Sequence, residues 1–209
     1  MLLKTIAGTL VVLIMVACPL AAASMEPMAV IKEPIDAVIA LLNDPQYKAE
    51  GTKSAQRNAI WKTVKPMFDF DEISKRAVAR NWKRFTAAEK ATFADVFAQF
   101  LGNTYIDKIQ GEYHNEQILY LGQDFYSDRY AEVKTHLVRE ALVIPVNYRL
   151  IKSSDDQWKV YDIIVEGVSL VKNYRTQFTS ILRKKKPAQL IQQLNDKLAE
   201  QNQRLADNG

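Results

Sequence analysis

The spacing of apolar residues changes character at about Gly111, and that change limits the folds open to the chain. Before it, apolar residues recur at steps of three and four, as on one face of a helix. After it come four runs rich in β-branched and aromatic residues, EQILYLGQDFY, RYAEVKTHLV, ALVIPVNYRLI and WKVYDIIVEG, which read as strands. SSDDQ between the last two is a turn, so these two form a hairpin. The helical spacing returns after Ser169, where Val171, Tyr174, Phe178 and Ile181 share a face, and PAQLIQQLNDKLAEQ supplies a last helix whose tail frays after Arg204. Helices, an antiparallel sheet of about four strands, then helices again: the fold class is α+β.

The helical half carries its own punctuation. EPIDAVIALLND places Pro34 in a first turn, and SAQRNAIWKTVKPMF is a short helix ending near Pro66. DFDEISKRAVARNW has Asp69 or Asp71 as its cap. TAAE, from Thr86 to Glu89, is a capping box. It opens a helix with Phe93, Val96, Phe97, Phe100, Leu101 and Tyr105 on one wide face, and with Gly102 as a point for a kink.

Residues 1–23 are set apart from this pattern. Lys4, the apolar stretch IAGTLVVLIMVA and the small residues AAAS form a secretory signal cleaved after Ala23, too short for a stable membrane span. Residues 24–209, about 186 of the 209, are then long enough for one domain with a substantial core. Cys18, the only cysteine, is discarded with the signal or, if MVAC is a lipoprotein box, becomes a lipidated N-terminus. On either reading the exported body folds without a disulfide. Net charge is +4, too mild to argue for nucleic acid.

Catalytic chemistry finds few candidates. His114 and His136 stand alone, outside any metal-ligand motif, and no GxSxG, Walker loop or GxGxxG occurs. Neither a metal nor a cofactor is expected, and the chain does not read as an enzyme. Asp69, Asp71 and Glu72 complement a helix dipole. Asp162 and Glu166 are four apart on a strand, a spacing that suits acid–base work on one face. The simpler reading is that Asp162 pairs with an Arg or Lys across the sheet while Glu166 hydrogen-bonds the turn.

An excess of apolar surface remains. The last strand alternates Val160 and Ile164 on one face with Tyr161, Ile163 and Val165 on the other, and its neighbour has Val143, Ile144, Val146, Tyr148 and Leu150. A sheet with one wet face does not need both sides apolar. Either helices cover both sides, or part of this surface lines a site for an apolar ligand.

FDFDEISKRAV, NWKRFTAAEKATFADVFAQFLGNTYIDKI, AEVKTHLV, IPVNYRL and above all WKVYDIIVEGVSLVKNYRTQFTSILRK, taken in order, resemble the MlaC-like periplasmic phospholipid carriers, also described as auxiliary components of toluene-tolerance ABC transport systems. The chain departs from that pattern at Val78-Ala79, where Leu-Gly is frequent, at KKKPAQ, where a Gly often follows the basic end of the helix, and in the possible lipoprotein box at Cys18.

The resemblance implies a twisted sheet and helices enclosing an apolar cavity for acyl chains. It implies a monomeric carrier of phospholipid between an outer-membrane lipoprotein or porin complex and an inner-membrane ABC transporter complex, with no catalytic residue. On that reading Val168 and Val171 lie near the cavity mouth, with Ile164, Tyr148 and Leu150 deeper in the sheet. Phe97, Leu101 and Tyr105 come from the capped helix opposite. Each of the eight is also compatible with plain core. A protein-only adaptor of an ABC system is the alternative, and a hydrolase, lacking a nucleophile with a partner base, is a distant third. The run Arg183-Lys184-Lys185-Lys186 is either a docking patch for an acidic partner or lipid headgroups, or a complement to its helix dipole.

Overall fold

The computed structural model describes residues 25–49 and 51–207; the signal segment and Cys18 lie outside them. Four helices come first: α1 (Pro27–Asn43), α2 (Lys53–Val64), α3 (Phe70–Val78) and α4 (Ala87–Glu112). The strands β1 (Gln117–Ser127), β2 (Tyr130–Arg139), β3 (Leu142–Lys152), β4 (Trp158–Val165) and β5 (Val168–Ser169) follow, and α5 (Leu170–Leu182) and α6 (Pro187–Asp207) close the chain. The strands form one antiparallel sheet in the order β1-β2-β3-β4-β5. The architecture is α+β with five strands where the sequence predicts about four. The fifth is two residues long, too short to carry a periodic signal.

Local chemistry fixes the helix starts. Thr86 and Glu89 make both halves of the capping box, Thr86 Oγ1 accepting from the Glu89 N–H and Glu89 from the Thr86 N–H. At α3 the cap is Asp69, whose carboxylate accepts the Glu72 N–H at 2.8 Å. Three expectations need correction. Pro34 lies inside α1, because the helix already begins at Pro27. Gly102 does not break α4, which runs unbroken to Glu112. The last helix also continues past Arg204 to Asp207.

The strand pairing sorts side chains onto two faces. Tyr161 is an extra residue in β4: Leu150 pairs with Val160 while Arg149 pairs with Asp162. The bulge overturns the simple alternation read from the sequence. Val160 falls on the same face as Ile163, and Ile164 falls on the opposite one. On the first face Ala131, Val133, Leu150, Trp158 and Val160 pack with Ile31 of α1 and Met67. The free edge of β4 is covered by the stretch before α3, where the Asp69 N–H donates to the Val160 carbonyl.

A second apolar cluster joins α3, α4, α5 and α6. Its centre is aromatic: Phe93, Phe97, Tyr174 and Phe178 meet ring to ring at 5.1–5.7 Å between centroids, mostly edge-on. A third, smaller cluster of Val38, Leu42, Ile60 and Ile106 joins α1, α2 and α4.

Candidate functional site

The junction between β4 and α5 is built on one buried carboxylate. Glu166 (φ 49°) and Gly167 (φ 80°) turn the chain with left-handed backbone, and the Glu166 N–H donates to the Pro145 carbonyl. Asp162, 5% exposed, accepts the Val171 N–H at 3.0 Å and the Ser169 hydroxyl at 2.6 Å, while Ser169 Oγ accepts the Lys172 N–H. The Arg149 guanidinium stands 3.9 Å from Asp162. Asp162 and Ser169 each accept one free N–H at the start of α5, and Asp162 fixes that helix to the sheet. Glu166 sits in the turn, so the two carboxylates do not form an acid–base pair on one face.

Beside this junction, the α1-facing side of the sheet changes from covered to open, row by row. Ala131, Leu150 and Val160 form one cross-strand row and are closed over by the α1 cluster. Val133, Tyr148 and Ile163 form the next. A third row crosses the whole sheet: Tyr120, Thr135, Val146, Val165 and Val168. Beyond it lie Ile118, Leu137 and Ile144. In these outer rows Ile118, Leu137, Ile144 and Val146 are half-buried, Val165 is exposed, and Val168 is 64% exposed. None of these six belongs to a buried cluster of the described residues. The result is an aliphatic strip that crosses all five strands and ends at the α5 junction.

Polar groups under and beside the strip are self-satisfied. Thr135 is fully buried and its hydroxyl donates to the Val146 carbonyl at 2.8 Å. Burial pushes the Tyr148 phenol up to about 12, with its hydrogen bond to Thr135 acting in the other direction. Burial, then the hydrogen bond it donates to Asp36 at 2.7 Å, also raises the Tyr120 phenol. Both phenols stay neutral at physiological pH. Among the described residues no cluster of three or more histidine or acidic side chains is placed to hold a metal ion.

The eight residues singled out from the sequence divide among three environments. Phe97, Leu101 and Val171 are buried in the aromatic helical cluster, and Tyr105 packs on its edge with its phenol bonded to Tyr174. Tyr148, Leu150 and Val168 share the α1-facing side of the sheet. Ile164, buried, points to the opposite side. The strip residues Ile118, Leu137, Ile144, Val146 and Val165 were not among the eight. Alternation along each strand carried the signal, but the bulge in β4 and the extent of α1 coverage are invisible to it.

On the opposite face β2 carries Glu132, Lys134 and His136, yet Glu132 is 6% exposed there. It accepts from Asn147 at 3.0 Å and Arg149 at 3.1 Å, and Arg149 links it onward to Asp162. Arg76 of α3 lies 4.1 Å over the Tyr161 ring on this side.

An open five-stranded sheet with α1 against one face, α3 beside the other and an uncovered aliphatic strip define an α+β protein with an exposed apolar surface. The MlaC protein family model matches residues 32–196, and the chain belongs to that family. It is similar to the toluene tolerance protein Ttg2D of Pseudomonas putida, with 27% identity over 148 residues, covering 68% of this chain and 65% of that protein. The chain thus matches just under two thirds of that relative's length. It shares its fold with a phospholipid-binding protein from Ralstonia solanacearum solved in complex with a phospholipid. The TM-score is 0.72 at 24% identity, covering 85% of this chain and 99% of that one.

Proposed function

We propose that this protein is an exported carrier that holds the acyl chains of a phospholipid on the aliphatic strip of its sheet. The strip is the observation that supports the reading: six apolar side chains on adjacent strands, outside every buried cluster of the described residues. Such a surface costs free energy in water and is relieved by an apolar ligand. Membership of the MlaC family and the phospholipid in the Ralstonia solanacearum protein of the same fold agree with it. Exposing a long acyl chain to water costs on the order of 10 kcal/mol at about 0.8 kcal/mol per methylene, so crossing an aqueous compartment needs an apolar host.

In this role the chain acts in the periplasm, between an outer-membrane complex and an inner-membrane ABC transporter. It performs no bond chemistry; its task is to bind, shield and release. Native mass spectrometry of the protein purified from the periplasm, followed by solvent extraction, tests this directly. A stoichiometric phospholipid is expected, at a chain mass lacking residues 1–23. Protein that is empty and takes no lipid from vesicles would instead favour a protein-only adaptor.

A further inference from the structure

The net charge of +4 conceals a strong separation of charge. Residues 75–90 and 172–186 together carry twelve Lys and Arg against one carboxylate, Glu89, a balance of +11 in 31 residues. The other 178 residues therefore sum to −7.

The two segments meet in space. Arg175 of α5 donates to the Arg76 carbonyl of α3 at 2.9 Å. Arg84 donates to the carbonyls of Leu182 and Lys185 at 2.7 and 3.2 Å, holding the α5–α6 turn against the end of the stretch that follows α3. Glu89 is occupied by its capping box. Lys75 and Arg76 share a single carboxylate, that of Glu72. Six further cations, Arg80, Lys83, Lys172, Arg183, Lys184 and Lys186, are exposed with no carboxylate partner among the described residues.

We infer that this basic face, running along α5 and round the α5–α6 turn, docks the protein on an anionic lipid bilayer. Two observations favour a bilayer over an acidic protein. A stable protein interface needs apolar anchors near its centre. None of the large hydrophobic side chains exposed on the described surface lies within the two basic segments. Charge of one sign, from Lys172 and Arg175 on the 13-residue helix, about 20 Å long, to Arg183–Lys186 in the turn beyond it, instead matches a continuous anionic plane. The N-terminus of the same helix carries the end of the aliphatic strip at Val168, so docking along α5 brings the strip to the membrane surface. The inference stands on charge and geometry and does not require the carrier reading.

Flotation of the signal-free protein with phosphatidylcholine vesicles, with and without phosphatidylglycerol, tests it. Binding is expected only to the anionic vesicles and should be lost at high salt. Each cation removed should lower partitioning about fivefold, so the triple variant Arg183→Gln, Lys184→Gln, Lys186→Gln should lose on the order of 100-fold. Arg80→Gln with Lys83→Gln should lose roughly 25-fold, and Lys62→Gln with Lys108→Gln, outside the face, should lose far less. A urea midpoint for each variant shows that it is folded. Equal binding to neutral vesicles, no vesicle binding, or a folded triple variant that binds like wild type would overturn the inference. So would a triple variant that loses only an acidic protein partner. Bound lipid is measured separately by native mass spectrometry, so empty protein that still floats with anionic vesicles would sink the carrier reading and leave this one standing.

Discussion

The indole of Trp61 on α2 rests against Gly102 of α4. A β-carbon at Gly102 would lie 2.8 Å from Trp61 Cζ3 and 2.9 Å from Cε3, inside van der Waals contact. The glycine thus serves as the seat of a helix crossing. Gly102→Ala should destabilise the protein by about 1–3 kcal/mol, because overpacking must push a large ring aside. Combining it with Trp61→Leu should remove most of that penalty, and a double-mutant cycle by urea unfolding measures the coupling. Additive losses would show that the two helices do not meet through this pair.

Ala79 ends α3 at φ 48°, ψ −126°, a backbone region in which a β-carbon is strained. Ala79→Gly should therefore stabilise the chain by about 1 kcal/mol, against the usual entropic cost of introducing glycine. Thermal unfolding of the variant checks the sign.

Removing the carboxylate at Asp162 strands the Ser169 hydroxyl and the Val171 N–H at the start of α5. Asp162→Ala should cost about 2–3 kcal/mol, and Asp162→Asn less, since its carbonyl oxygen still accepts one bond. Hydrogen exchange should place the loss at the first turn of α5. A uniform loss across the sheet would contradict the capping role.

Glu116 is 6% exposed. Burial raises its pKa, but the His114 and Glu116 backbone N–H groups and the Arg139 guanidinium outweigh it and hold the carboxyl below its ordinary 4.5. A carboxylate lowered on folding contributes stability above its unfolded pKa, and that contribution is lost as pH falls through the folded value. Glu116→Gln should be less stable than wild type at pH 7, and the gap should narrow below pH 4.5. Urea midpoints across that range measure it, and a gap that widens in acid would rule out the assignment.

A charge placed on the aliphatic strip should expel lipid without unfolding the protein. Val168→Glu and Leu137→Glu are both at exposed or half-buried positions on the α1-facing side. Each should reduce bound phospholipid at least tenfold by native mass spectrometry. Leu119→Glu is the control: it is 47% exposed and pairs with His136, on the opposite face at the same end of the sheet. Equal lipid loss in all three would detach the strip from lipid binding.

Element types and caps were legible in the sequence because they rest on local interactions. Spacing alone distinguishes a helix from a strand, and Thr86 with Glu89, Asp69 and Ser169 mark helix starts through bonds to backbone three residues away. The family pattern carried by WKVYDIIVEGVSLVKNYRTQFTSILRK is equally a property of the chain read in order.

Which apolar residue is core and which is surface was not legible. The bulge at Tyr161 turns Ile164 away from Tyr148 and Leu150, and it exists only because β3 and β4 pair in that register. Phe97, Leu101 and Val171 meet α3 and α6 in a closed cluster, while equally apolar Ile144 and Val146 are left partly open because α1 covers the other half of their face. The basic face likewise joins segments nearly a hundred residues apart through Arg84 and Arg175. Sequence fixed what depends on neighbours along the chain: where helices and strands begin, and what family they spell. Coverage, the facing of side chains and the clustering of charge depend on contacts between distant segments, and those were decided only when the helices packed on the sheet.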